Sequence, residues 1–316
     1  MNNETLLVTK NVLTNLICVK PEEKLLLLTD DGKLELAQTF FVGAIELGLK
    51  PTLLEVPQQK GGEMPDIAIA ALLEADAALL ITSGSFTHTK GRAKATEKGV
   101  RIASMPTITE EIVNTTLSAD FDEISSISNL LADKLTACKK IRVTTALGTD
   151  ITIYCEGRFG LADTGKLDAK GAFGNLPAGE AMVAPVETMG DGVLVVDGVV
   201  VGLGILKSAL TLTFKSGRIV DVQGEQAEEF RSFVSKFEDT AWNIAEFGIG
   251  TNRNCHIMGN PLVDEKIFGT IHVACGNNLF MGGQQGGNMH YDMIINVPTV
   301  YLDEECIIKE GVHIYK

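Results

Sequence analysis

The 316 residues carry 45% hydrophobic and 22% charged side chains, enough for a full core and too balanced for a disordered or fibrous chain. Against 27 basic residues stand 41 acidic ones, a formal charge of −14 that falls on both halves and excludes nucleic acid as a partner, since no basic patch is left to grip a phosphate backbone. Six cysteines without a CxxC pair predict free thiols in a reducing, cytoplasmic setting. The N-terminus lacks the basic-then-apolar order of a signal peptide, and the longest apolar stretch, 192–206, is short and carries Asp197, so neither secretion nor a membrane span is expected.

In chain order, four short apolar runs at 24–30, 51–57, 77–84 and 101–106 read as strands, with helical patterns between them at 33–48, 65–75 and 88–98. Strands alternating with helices imply a parallel sheet covered on both faces. The stretch 108–140 is acidic near its start and basic at its end, as one or two helices would be. Only 8 of the 32 glycines precede residue 141, so the backbone demands change there. The reading is an N-terminal parallel α/β domain, 1–140, and a C-terminal β-rich α+β domain, 141–316.

Beyond residue 140 the apolar period becomes two. Three antiparallel hairpins are predicted, turning at Gly148-Thr149-Asp150, Asp197-Gly198 and Ser216-Gly217. One helix is expected at 225–246, carrying Phe230, Phe233, Phe237, Trp242 and Ile244 near helical spacing and ending at Glu246.

Three of the five histidines, His256, His272 and His290, fall within a stretch of 35 residues in this second part. On a strand, His290 and Asp292 point to one face, while His272 shares its face with Ala274 and Gly276, which leave room beside it. Two imidazoles and a carboxylate on neighbouring strands suit Zn²⁺, Mn²⁺, Co²⁺ or Fe²⁺; the alternative is a core imidazole bonded to a backbone carbonyl and an Asp capping a turn. Glu180 ends a turn-rich entry to an apolar run, where a carboxylate is costly to bury unpaired, or else is a solvated turn acid. Glu246 at a helix C-terminus calls for a compensating cation, or else marks a frayed end. Glu265, beside Lys266, reads as part of a surface charge cluster. The glycine-rich 280–288 lacks the phosphate-loop order and reads as a flexible loop at the mouth of a site. His88 follows the third strand, where open α/β sheets place ligand-facing loops, and reads as part of a helix-capping loop or else as reaching toward a cleft between domains; no GxSxG occurs.

The ordered series Asn175–Glu180, Glu246–Asn252, Asp264–His272 and His290–Asp292 resembles the M29 metallopeptidases (aminopeptidase T and thermophilic leucyl aminopeptidases), and Thr87-His88-Thr89 and Ala103–Pro106 are similar to their N-terminal domain. The resemblance implies an α/β domain followed by a β-rich metal-binding domain, a homodimer, and a dinuclear site of divalent Zn, Co or Mn, with one or two ions expected here. Its metal ligands match Glu180, Glu246, His272, His290 and Asp292. Two departures stand out. The family's tyrosine seven residues after the first histidine is Leu279 here, and the chain is shorter than typical members.

The expected function is a metal-dependent, aminopeptidase-like hydrolase acting on a small peptide or amide through a metal-activated water, with Glu180 or Glu265 carrying the proton. The alternative follows from the same resemblance, which extends to 2,5-dihydroxypyridine 5,6-dioxygenase. It is a ring-cleaving enzyme with one non-haem Fe(II) held by His272, His290 and Asp292 as a facial triad. A third reading is a metal- or small-molecule-binding protein that turns over neither substrate.

Overall fold

The computed structural model describes residues 2–59 and 62–315. The chain divides into two compact units, Met1–Phe121 with Gly165–Ala178, and Asp122–Thr164 with Gly179–Lys316. The rise in glycine content near residue 140 coincides with the start of the strand Lys140–Thr144, inside the second unit.

The first unit is built on a five-stranded sheet in the order Lys50–Val56, Lys24–Asp30, Ala77–Thr82, Arg101–Pro106, Phe173–Asn175, every pair parallel. Helices Leu34–Glu46, Asp66–Leu73 and Lys90–Lys98 connect the first four strands. All six residues of Ala77–Thr82 are buried, which explains why these strands read as unbroken apolar runs: neither face meets water. The stretch 108–140 forms two helices, Glu110–Thr116 and Phe121–Ala137. Three elements lay beyond the sequence reading, among them the short π-helix Val12–Leu16. Another is an N-terminal helix, Asn3–Asn11, capped by the Asn2 side chain accepting from the Glu4 amide at 3.0 Å. The last is the three-residue fifth strand, too short to show a period.

The second unit is mixed α/β, with two antiparallel sheets. Eight strands form one sheet. The other has seven, in the order Gly204–Ile205, Val199–Val200, His290–Ile295, Ile271–Gly276, Ile244–Gly250, Glu180–Val183, Gly160–Asp163. Both contribute to one apolar core: Val143, Ile153, Leu194 and Leu212 from the first, Val183, Phe247, Val273 and Met293 from the second. Among the described residues no helix is long and apolar enough to cross a membrane.

Hairpins form where predicted around Gly148 and Gly217, whose φ values of 107° and 75° only glycine adopts without strain. The third expected hairpin does not form. Gly190–Val196 belongs to the eight-stranded sheet and Val199–Val200 to the other, so Asp197-Gly198 is a crossover between sheets. It is pinned to the His290 strand: the Gly198 amide donates to the Ile294 carbonyl at 3.1 Å, and Asp197 Oδ1 accepts from the Asn296 amide at 2.8 Å.

The helix expected over 225–246 is likewise corrected. It runs only from Ala227 to Val234, followed by a 3₁₀ turn Asp239–Trp242 and the strand Ile244–Gly250. The misreading has a tertiary cause: Phe230 and Phe233 of the helix, Phe237 after it, Trp242 of the 3₁₀ turn and Ile244 of the strand all pack on one core, so residues of separate elements share a helix-like spacing.

Candidate metal centre

The four central strands of the seven-stranded sheet present two faces. Ala181, Val183, Phe247, Ile249, Val273, Cys275, Tyr291 and Met293 enter the core. The intervening positions carry Glu180, Glu246, His272, His290 and Asp292 on the opposite face. Register does the rest. Glu246 pairs with Ala274, which pairs with Asp292, so a methyl side chain separates the two acids; His272 pairs with Gly248. Glu246 thus reaches the site from mid-strand, and the bulge between Ile244 and Glu246 sets which way the carboxylate points.

Glu246 is the hub. Its Oε1 lies 3.1 Å from His272 Nε2 and its Oε2 3.1 Å from His290 Nε2. His290 Nε2 is 3.5 Å from Asp292 Oδ1, and His272 Nε2 is 3.2 Å from Glu180 Oε2. Donor atoms of Glu180, Glu246 and His272, and separately of Glu246, His290 and Asp292, lie within 4.8 Å of one another. Glu180, Glu246 and His272 are buried at 4%, 4% and 0% exposure.

Lys266, which the sequence reading set on the surface with Glu265, is buried here. Its Nζ bonds Glu180 Oε1, lies 2.6 Å from Glu265 Oε1 and 3.5 Å from Asp163 Oδ2. Glu265 is therefore part of the buried cluster and not of a solvated patch. No sequence signal marks the burial of Lys266, because Asp163 and Glu180, two of its three partners, come from positions far away in the chain.

The charges of this cluster hold one another. Burial opposes ionisation of Glu246 and Asp292, but hydrogen bonds from both imidazoles to Glu246, and the charge of His290 beside Asp292, bring both carboxyls below their ordinary range. Burial likewise opposes protonation of His272, yet Glu246 and Glu180 raise it to about 9; Asp292 and Glu246 hold His290 well above the usual range. Burial raises Glu265 to about 8 against the pull of Lys266, and burial raises Glu180 as well. Three carboxylates keep Lys266 protonated despite its burial.

Three observations fit this face to a cation. Glu180 Oε2, which faces His272 Nε2, is buried with no hydrogen-bond partner among the described residues. The His290 Nδ1–H donates to the Asn277 carbonyl at 2.8 Å, so that once a cation displaces the other ring proton the Nε2 lone pair would face the site. Gly248 supplies the space for His272, since a Cβ there would lie 2.0 Å from Nε2. Carboxylates and imidazoles together suit Zn²⁺, Mn²⁺, Co²⁺ or Fe²⁺.

The remaining candidates lie elsewhere. His256 is exposed, and Leu279 sits 57% exposed in a 3₁₀ turn. His88 is an exposed residue of the first unit. The glycine-rich segment is a tethered loop. Glu187 Oε1 accepts from Asn278 Nδ2 at 2.9 Å and from the Gln284 amide at 2.6 Å, while Arg158 bonds Glu187 Oε2 at 2.6 Å and the Gly282 carbonyl at 3.0 Å. Phe280, from this loop, stands edge-on to the His290 ring, centroids 5.2 Å apart.

Comparison with known proteins places the chain in context. The profile of the NicX family, described as 2,5-dihydroxypyridine 5,6-dioxygenase, matches residues 7–315. The curated 2,5-dihydroxypyridine 5,6-dioxygenase of Pseudomonas putida KT2440 is 23% identical over 194 residues, 56% of this chain; the alignment spans about half of that relative, 55% of its length. Among solved structures, 2,5-dihydroxypyridine dioxygenase from Pseudomonas putida KT2440 superposes with a TM-score of 0.86 at 18% identity, covering 100% of this chain and 98% of that one. Wild-type AmpT from Thermus thermophilus superposes with a TM-score of 0.73 at 14% identity over 99% of both chains. At these identities the structures show a shared fold, the M29-like fold that the resemblance implied.

Proposed function

This chain belongs to the NicX family, and from that membership we propose that it is a non-haem Fe(II) dioxygenase that opens a dihydroxylated, pyridine-type aromatic ring. The observation that carries the reading is the family match over residues 7–315 joined to two imidazoles and an aspartate on adjacent strands. His272, His290 and Asp292 would hold the ion, with Glu246 between the imidazoles. A ferrous ion bound there supplies the one-electron chemistry that lets O₂ react with an aromatic ring. Glu265, raised to about 8, takes and gives a proton near neutral pH and serves as the base for a ring hydroxyl. Lys266 fixes the Glu180 carboxylate from the side away from His272.

The hydrolase reading keeps fold-level support from AmpT, and one feature of the site favours it: the two oxygens of Glu246 face different histidines, as a carboxylate bridging two ions would. Leu279 offers no phenol to such a reaction. The homodimer implied by the resemblance belongs to the proposal, with sedimentation velocity as its test.

The deciding experiment is anaerobic purification without an affinity tag, elemental analysis, and O₂ uptake with 2,5-dihydroxypyridine after Fe(II) loading. The dioxygenase predicts one iron per chain and O₂ consumed in step with loss of the ring absorbance. Two equivalents of Zn, Co or Mn, hydrolysis of aminoacyl anilides and no O₂ uptake would replace it with the hydrolase.

A further inference from the structure

Lys266 is an unusual occupant for the interior of a sheet protein. Lysine is among the side chains least often fully buried, and this one is 2% exposed. Its Nζ meets carboxylate oxygens of Glu180, Glu265 and Asp163, whose side chains are 5%, 15% and 14% exposed. Three inward-facing carboxylates around one point are what a divalent cation asks of a protein: oxygen donors, convergent and shielded from water. They come from three separate segments: Asp163 at the end of one strand, Glu180 at the start of another, and Glu265 just after the short helix Pro261–Asp264. Asp163 and Glu180 are paired in register, so the sheet itself sets two of the three walls. The ammonium bonds one oxygen of Glu180 while the other faces His272, so the same carboxylate serves both the hole and the neighbouring metal-binding group.

We propose that Lys266 is a built-in cation filling a three-carboxylate hole beside the metal ligands, so that this flank of the centre holds an ammonium in place of a further divalent ion. The inference rests on the reading of the adjacent residues as a metal centre. It states more than that reading: the number of ions is set by a lysine, and the vacated hole would be a cation site in its own right.

The test compares the intact chain with Lys266→Met, which keeps an unbranched apolar side chain and removes the charge. Bound Mn(II) per chain is counted by equilibrium dialysis and elemental analysis. The expected result is one more equivalent in Lys266→Met than in the parent, with a Mn(II)-dependent rise in melting temperature larger than the parent's. The triple variant Asp163→Asn/Glu265→Gln/Lys266→Met, with two walls neutralised, returns to the parent count. A folded Lys266→Met that gains no ion overturns the inference, as does a triple variant that keeps the extra one. If Lys266→Met does not fold even with Mn(II) while the triple variant folds at the parent count, the carboxylates need only their charge answered and the hole takes no divalent ion, which overturns the inference. Failure of both to fold assigns the lysine to packing and overturns it. A parent that binds no Mn(II), Fe(II), Co(II) or Zn(II) sinks the metal reading by itself. A gain in Lys266→Met would still stand for the hole in that case, and no gain would end both.

Discussion

Gly248 lies directly across the strand pair from His272, and a methyl group on it would sit 2.0 Å from Nε2 of the imidazole. The glycine is there because the ring lies across the neighbouring backbone, where no side chain fits. Its φ is outside the left-handed range, so alanine is tolerated by the backbone itself and only the imidazole has to move. Gly248→Ala should therefore weaken metal binding by about 10- to 100-fold, the scale seen when a ligand's orientation is lost. Far-ultraviolet circular dichroism should stay at the parent spectrum. Metal content equal to the parent's after dialysis would show that His272 is not a ligand.

The pH dependence has two opposing parts. In the metal-free protein His272 titrates near 9, above its unfolded value, so its proton stabilises the fold fully below about pH 6.5, and that contribution is lost as pH rises through 9. Glu265, raised to about 8, acts in the same direction over a window that opens lower, near its unfolded value, and closes as pH passes 8. Metal binding must displace the imidazole protons, so affinity should rise over the range in which metal-free stability falls. Calorimetric Mn(II) binding and apo melting temperatures at pH 6.5, 7.5 and 8.5 should move in opposite senses. Parallel movement would mean that protons and metal do not share these nitrogens.

Away from the centre, His313 stacks on Phe268 with ring centroids 3.9 Å apart, and its Nε2 is buried without a partner. Burial and the nearby Arg253 guanidinium lower it to about 4. A base depressed in the folded state is neutral there and takes up its proton on unfolding, so its contribution is intact above about pH 6.5 and lost as pH falls through 4. His313→Phe should thus hold up to about 3 kcal/mol more of its neutral-pH stability than the parent at pH 4. Urea unfolding at pH 7 and pH 4 measures that difference, and equal losses in both proteins would contradict it.

Much of this architecture is legible in the residues because it follows from local rules. The first four parallel strands appear as apolar runs stopped by Pro, Asp or Gly, and His272, His290 and Asp292 stand out because alternation places them on the face away from the core with small neighbours. Where reading fails, a tertiary cause can be named. Trp242 of the 3₁₀ turn and Ile244 of the strand pack on the same core as Phe230 and Phe233 of the helix, so three elements read as one and Glu246 is singled out on the wrong element. Lys266 looks like a surface charge because its burial depends on Asp163 and Glu180, about a hundred residues away. Asp197-Gly198 has a hairpin's composition, and only the pairing of Gly198 with Ile294 makes it a crossover. The choice between hydrolase and oxygenase is not written in the ligand set, since carboxylates and imidazoles serve both; the family match tips it toward the oxygenase.

The Glu187 clamp provides a test of how the loop reaches the centre. Asn277, between the strand Ile271–Gly276 and that loop, accepts through its carbonyl from the His290 Nδ1–H and donates its side-chain amide to the Gly287 carbonyl at 2.9 Å. Glu187→Ala removes the acceptor for Asn278 and Gln284 and strands Arg158, whose side chain is only 12% exposed. Breaking a largely buried pair from one side costs about 3 kcal/mol, because the remaining charge has no partner. Glu187→Ala/Arg158→Met should recover most of that stability, since no unpaired charge is left, but it cannot restore the two acceptor bonds to the loop. Both variants are therefore expected to show faster limited proteolysis within 279–288. Both should also show a several-fold loss of metal affinity, smaller than that of Gly248→Ala because Glu180, Glu246, His272 and Asp292 are held by strands. If the double variant regained parent affinity and protease resistance together, the clamp would be a stability element only, and the orientation of His290 would have to come from its own strand.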